Sequence, residues 1–150
     1  FFLSIFKKYN AFRFLFGDLI IRDDFIEERD YNVLIAYLLQ DNPVDKTKMV
    51  LNAHRYSIEE VARVAFLMSL KTLSIQSAPR FKKLQKNSHL TNEQIVTYAK
   101  WTGLQSKLID AFLKFELSVS GNEYLAQGLK GKEIANAIEK QEIENFTKLL

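Results

Sequence analysis

An all-α fold of about seven to nine helices with no sheet is predicted, and three observations predict it. Capping signatures recur at Ser57-Ile58-Glu59-Glu60, Thr91-Asn92-Glu93-Gln94 and Ser120-Gly121-Asn122-Glu123. In each, a Ser or Thr oxygen can accept from the third helical amide while a Glu or Gln reaches back to the cap amide. Apolar residues flank every box at the staple positions: Tyr56 and Val61, Leu90 and Ile95, Val119 and Tyr124. Apolar residues elsewhere recur at helical spacing, and only 5 Gly and 2 Pro punctuate 150 residues, too few for a strand-rich fold with many tight corners.

Taken in order, residues 3–16 read as an apolar helix, broken near Asn10 and stopped at Gly17. The charged stretch from Asp23 to Asp30 reads as a linker or exposed turn. Tyr31 to Leu39 forms a short buried helix. Asn42-Pro43 places Asn at a cap and Pro at the first helical position, opening a helix to Asn52. Ser57 starts the next helix. Ser77-Ala78-Pro79 opens a basic helix that ends near Asn87. Thr91 to Thr102 stops at Gly103, and Leu104, Leu108, Phe112 and Phe115 then form one stripe. A final helix begins near Gly131, with Ile134, Ile138 and Phe146 facing inward. The division expected is a helical body over 1–116 and tail helices over 117–150.

The start, Phe1-Phe2-Leu3-Ser4-Ile5-Phe6, has the apolar run before Lys7-Lys8, the reverse of a secretory leader. It reads as a cut through a helix of a larger protein. Phe2, Phe6, Phe12 and Phe16 are expected to leave an exposed apolar patch there. No apolar run approaches the ~20 residues needed to span a bilayer.

The chemistry of catalysis is missing from the residues. With no Cys there is no thiol, disulfide or cysteine-held metal. His54 and His89 read as surface or loop histidines. No Gly-rich phosphate loop, nucleophile elbow or Asp-x-Asp occurs. Asp23 and Asp24 are adjacent, and on a strand they would face opposite ways. The acidic residues of the first helices and of the last helix read as solvated faces. No catalytic and no metal-binding residue is assigned.

Charge is unevenly spread. Between Glu60 and Glu93 there is no acidic residue, and the window carries Arg63, Lys71, Arg80, Lys82, Lys83 and Lys86, in a chain whose net charge is +3. Arg80, Lys83 and Lys86 fall at helical spacing. A face of this kind gains affinity for phosphate backbones by releasing counterions. The plainer reading is a solubilising helix. Further on, two helices begin about eleven residues apart, each with Gly in its first turn, and Lys130 and Lys132 flank Gly131. Free amides at a helix start, with no Cβ in the way, suit a phosphate, although ordinary capping explains them too.

The stretch Ser120-Gly121-Asn122-Glu123-Tyr124-Leu125, then Gly128, then Gly131-Lys132-Glu133-Ile134-Ala135-Asn136-Ala137-Ile138, resembles the C-terminal signature of the class II tRNA nucleotidyltransferase and bacterial poly(A) polymerase family. Ser120, Gly121, Gly128, Gly131, Ile134 and Ile138 fit its pattern, Asn122 to Leu125 fit loosely, and Ala135 stands where a Gly is usual. The order of the upstream helices is also similar, with Tyr56-Ser57-Ile58-Glu59-Glu60 at a helix start of the same kind.

The resemblance implies a great deal that the residues alone do not. Family members carry a head domain whose Asp-x-Asp holds magnesium and which adds CMP and AMP to tRNA 3′ ends. A neck selects the base, and a helical body and tail grip the acceptor–T arm. Neither the head motif nor the neck's Glu-Asp-x-x-Arg is present; Glu27-Glu28-Arg29-Asp30 has a different spacing. The chain is therefore expected to be body and tail alone, RNA-binding, without a cofactor of its own, and cytoplasmic. It would be partnered by tRNA and by its parent's head and neck, with no membrane role. Lys71, Arg80, Lys82, Lys83, Lys86, Lys130, Gly131 and Lys132 are the candidate RNA contacts. A shape-read tRNA arm needs only such phosphate-seeking groups. The alternative is a helical protein-interaction module that docks through its aromatic first helices.

Overall fold

The computed structural model describes Lys8 and residues 11–150. Nine α-helices are bounded within them and no strand occurs among the described residues: α1 (Phe12–Phe16), α2 (Tyr31–Leu39), α3 (Val44–Ala53), α4 (Ile58–Ser69), α5 (Ala78–Ser88), α6 (Asn92–Thr102), α7 (Lys107–Lys114), α8 (Asn122–Ala126) and α9 (Lys132–Thr147). A single 3₁₀ turn, Leu70–Thr72, extends α4.

Helix α4 is the hub, packing on α2, α3 and α5. Its own sequence explains why: Val61, Val64, Phe66, Leu67 and Met68 are all buried, leaving no fully polar side. Around it lie Val33, Ile35 and Leu39 of α2, Phe81 of α5 and Phe112 of α7. Phe66 meets Phe81 edge-on, with centroids 5.5 Å apart, and lies tilted against Phe112 at 6.3 Å. Such geometry adds to area burial because ring edges and faces carry opposite partial charge.

Two of the three capping boxes form. Glu60 N donates to Ser57 Oγ (3.1 Å) and Ser57 N to Glu60 Oε2 (2.8 Å). Gln94 N donates to Thr91 Oγ1 (3.2 Å) and Thr91 N to Gln94 Oε1 (3.0 Å). The third does not. Gly121 takes the cap position of α8 with no side-chain cap, and Ser120 Oγ accepts from Asn122 N instead. A Cβ on Gly121 would sit 3.3 Å from Ile134 Cγ2, so this Gly is where α8 and α9 come close.

Helix α3 begins one residue later than expected, with Pro43 as its cap residue. Asn42 is spent on another task. Its Oδ1 accepts from Ile20 N (2.8 Å), and its Nδ2 donates to the carbonyls of Ile20 (2.7 Å) and Leu39 (3.0 Å). This clamp holds the irregular segment after α1 against the end of α2. More ties follow along the same segment. Arg22 N donates to Leu38 O, the Arg22 guanidinium pairs with Asp24, and Trp101 Nε1 donates to Glu28 Oε2. Asp30 caps α2 through Val33 N and accepts from Gln94 Nε2 of α6. The stretch read as a linker or exposed turn is irregular in backbone and fastened to the body.

The expected aromatic patch is corrected in part. Phe12 and Phe16 are core residues, with Phe12 against Phe16 and Phe25, and Phe16 stacked on Tyr56. The segment 17–30 and α3 supply the cover that a free end would lack. Phe14 between them is 83% exposed. Phe2 and Phe6 lie outside the described residues, as does the expected break at Asn10.

The segment after Phe115 returns to the body. Phe115 and Phe146 meet edge-on at 5.2 Å, and α9 packs on α5. Along α9, Ile134, Ile138, Glu142 and Phe146 follow at intervals of four, so one stripe faces inward. Glu142 is 2% exposed, which corrects the reading of this helix's acidic residues as a solvated face.

Candidate nucleic-acid interface

Helix α5 opens with Pro79 in its first turn and reciprocal bonds between Ser74 and Ser77. Ala78, Phe81, Lys82, Gln85 and Ser88 are buried. The opposite side carries Arg80, Lys83 and Lys86, all exposed. Lys71 is exposed on the 3₁₀ turn. Among the described residues no ion pair uses any of these four cations, so their charge is open to a partner.

The other two cations of the window are spent within the fold. Arg63 Nε donates to Ser88 O (2.8 Å), closing the end of α5, and its guanidinium lies 3.4 Å from Glu59. Lys82, a candidate contact by sequence, is 3% exposed and so is not presented to a polyanion. Its Nζ lies over the Phe112 ring, 4.4 Å from the centroid. Burial pulls its pKa below the usual lysine value; Glu116 opposes that shift and Lys86 adds to it. Spacing assigns Arg80, Lys83 and Lys86 to one face and leaves Lys82 on the flank, where the turn of the helix puts it inside.

Lys130, Gly131 and Lys132 are exposed at the start of α9. Gly131 has φ 53°, and a Cβ built there would touch nothing within 4 Å. Backbone conformation, not space, is what requires Gly at this position.

Two grooves border Arg80. One, of about 600 Å³, lies among α3, α4 and α5 and includes Val44, Ile58 and Leu84. The other, of about 400 Å³, lies between α5, α9 and the irregular run before α8, and brings Arg80 and Lys83 into one site with Leu117, Val119, Ile138 and Glu142. Glu142, one of its lining residues, accepts through Oε1 from Ser118 N (2.9 Å) and Val119 N (2.7 Å). Glu142 Oε2 is buried and has no hydrogen-bond partner. Sequence reasoning missed Glu142, although its place in the Ile134–Ile138–Phe146 stripe was a visible signal.

Among the described residues no group of three or more His, Asp or Glu could hold a metal ion, and no helix is long and apolar enough to cross a membrane. His54 is exposed, with Nδ1 2.9 Å from Phe14 O, and His89 caps α5 in the left-handed conformation. No protein-family model, curated protein or solved structure matches the chain.

Proposed function

We propose that the chain is an RNA-binding helical module, of the kind that forms the body and tail of class II tRNA nucleotidyltransferases and poly(A) polymerases. On this reading it grips a tRNA acceptor–T arm in the cytoplasm while a separate head, with its own magnesium, adds CMP or AMP to the 3′ end. The observation that carries the reading is the exposed, unpaired row Arg80–Lys83–Lys86 on α5, with Lys71 nearby in sequence. The resemblance across Ser120–Ile138 supplies the class of RNA. Phosphate recognition by point charges is sequence-blind, and it suits a partner read by shape.

Filter binding of tRNA to the 150-residue chain across a salt series tests the reading. Each phosphate contact should contribute about 0.9 to the slope of log affinity against log salt. Replacing Lys71, Arg80, Lys83 and Lys86 by Ala should flatten that slope and weaken every tRNA alike. Unchanged affinity and slope would leave the face as solubilising only. Adding Lys130→Ala and Lys132→Ala measures what the start of α9 contributes. The pure chain should incorporate no CMP or AMP.

The second reading, a protein-docking module, draws on the exposure of Phe14 at 83%. It predicts a partner whose affinity barely responds to salt and falls on Phe14→Ala.

A further inference from the structure

We propose that the groove among α3, α4 and α5 is a protein-docking site for an amphipathic α-helix, whose apolar stripe lies along α4 and whose carboxylates meet Lys48 on one wall and Arg80 on the other. This partner is separate from the RNA of the proposed function. Arg80 is the one candidate RNA contact that lines the groove. The floor follows one line of α4, Ile58, Ala62, Ala65 and Ser69, at intervals of four, three and four. That line is about 17 Å long, three turns of helix. Helices α3 and α5 each pack on α4 and raise a wall on either side of it, enclosing about 600 Å³.

The spread of apolar and polar groups selects the occupant. Ile58 is 85% exposed and Leu84 46%, and both line the groove, so apolar surface is open to a partner there. Polar side chains stand on both walls, Lys48 and Asn52 on α3 and Arg80 and Asn87 on α5, along the length of the groove and not at one end. An apolar floor between polar rims is the anatomy of a protein interface. A helix laid in a groove matches it, with an apolar stripe at i, i+3 or i+4 and i+7 and polar flanks. A fatty acid would need the polar groups gathered at one end, and a phosphate backbone would gain nothing from Ile58 and Leu84. Charge then sets the flanks of the helix. Lys48 and Arg80 are exposed, and neither has an ion pair among the described residues. Asp45, the one acid of the lining, sits in the first turn of α3, where it complements the positive end of its own helix. Acidic flanks are therefore attracted to both walls, and basic flanks are repelled.

The test is selection against the 150-residue chain from a phage-displayed library of helical peptides with a fixed apolar stripe and randomised flanking positions. Recovered peptides should carry Asp and Glu at the flanks in excess of Lys and Arg, and should shift the ¹⁵N-labelled amides of Ala62 and Ala65. Ile58→Ala with Leu84→Ala should weaken a recovered peptide by about tenfold or more. Both side chains are exposed, so the fold should be retained, as a circular dichroism melt would show. Lys48→Glu should weaken the same peptide by about tenfold at low salt and by less at high salt. Recovery of no helical peptide overturns the proposal, as do basic flanks or peptides that leave Ala62 and Ala65 unmoved. The other occupants are read on the same two amides. tRNA, decanoate and a raised concentration of the chain itself should each move them less than an equal concentration of a recovered peptide. Whichever moves them more gives the groove to nucleic acid, to an amphiphile or to a second copy, and overturns the proposal. Loss of the peptide site leaves the salt-dependent binding of tRNA to the α5 row as a separate result.

Discussion

The Lys82 ammonium lies over the face of Phe112, 4.4 Å from the ring centroid, with its side chain inside the protein. A run of basic residues thus divides between two uses on adjacent positions of one helix. Lys83 is exposed to solvent, and Lys82 places a charge where burial opposes it. Burial pulls its pKa down, and the charge of Glu116 opposes that shift without cancelling it.

Lys82→Met should therefore stabilise the chain. Met keeps the unbranched stem and volume and removes the buried charge, for a gain of about 1 kcal/mol at neutral pH. The sign with pH follows from the lowered value. The folded chain gives up this proton more readily than the unfolded chain, whose lysine titrates near 10.5. The cost of burying the charge is complete below the folded pKa and diminishes as pH rises towards 10.5. Urea melts should show the gain of the Met variant shrinking over that window. Its tRNA affinity should equal that of the native chain.

The two formed capping boxes should each be worth about 1 kcal/mol, so Ser57→Ala and Thr91→Ala should each lower the melting temperature by about 2–4 °C. The boxes lie on different helices and share no partner, so the double variant should show the sum. Ser120→Ala should change stability by less than about 0.5 kcal/mol, because Ser120 bonds only one amide of a short exposed turn. Thermal melts of the three variants check this ranking.

Asn42→Ala should be more damaging than any of these changes, at about 2–3 kcal/mol, because Ile20 and Leu39 lose three bonds and no other side chain replaces them. Asn42→Asp keeps the acceptor for Ile20 N but sets a carboxylate oxygen against the Ile20 and Leu39 carbonyls in a buried site, so it should cost at least as much as Ala. Hydrogen exchange at the Ile20 and Arg22 amides would report loosening of the segment 17–30 before global unfolding.

Acid should destabilise the chain through this same segment. The Arg22 guanidinium, and then the Tyr37 hydroxyl, hold the Asp24 carboxyl well below the usual carboxylate range. The Asp30 amide, with help from Trp101, lowers Glu28. A carboxyl depressed in the folded state contributes fully above its unfolded pKa, near 3.8 for Asp24 and 4.5 for Glu28, and loses that contribution as pH falls through the folded value. Stability should therefore decline below about pH 5. Asp24→Asn with Glu28→Gln should lower stability at pH 7 and flatten the acid limb, a pattern that chemical melts at a series of pH values would reveal.

Local rules made the helices legible. Caps, stripes and Gly or Pro punctuation act within four or five residues, so the sequence alone located the starts at Ser57, Ser77 and Thr91 and the stop at Gly103. The same rules put Arg80, Lys83 and Lys86 on one face, which the structure leaves exposed. What failed were decisions that depend on residues far along the chain. Lys82 is interior because Phe112, thirty residues on, offers its ring. Asn42 serves Ile20 instead of its own helix. Phe12 and Phe16 are covered by Tyr56 and Phe25, which no window around them contains. Glu142 looks like any solvated acid of an amphipathic helix until the amides of Ser118 and Val119 come against it. Periodicity fixes which side of a helix a residue occupies; only packing decides whether that side meets water, a ring or another segment's backbone, because burial is a property of both surfaces in contact.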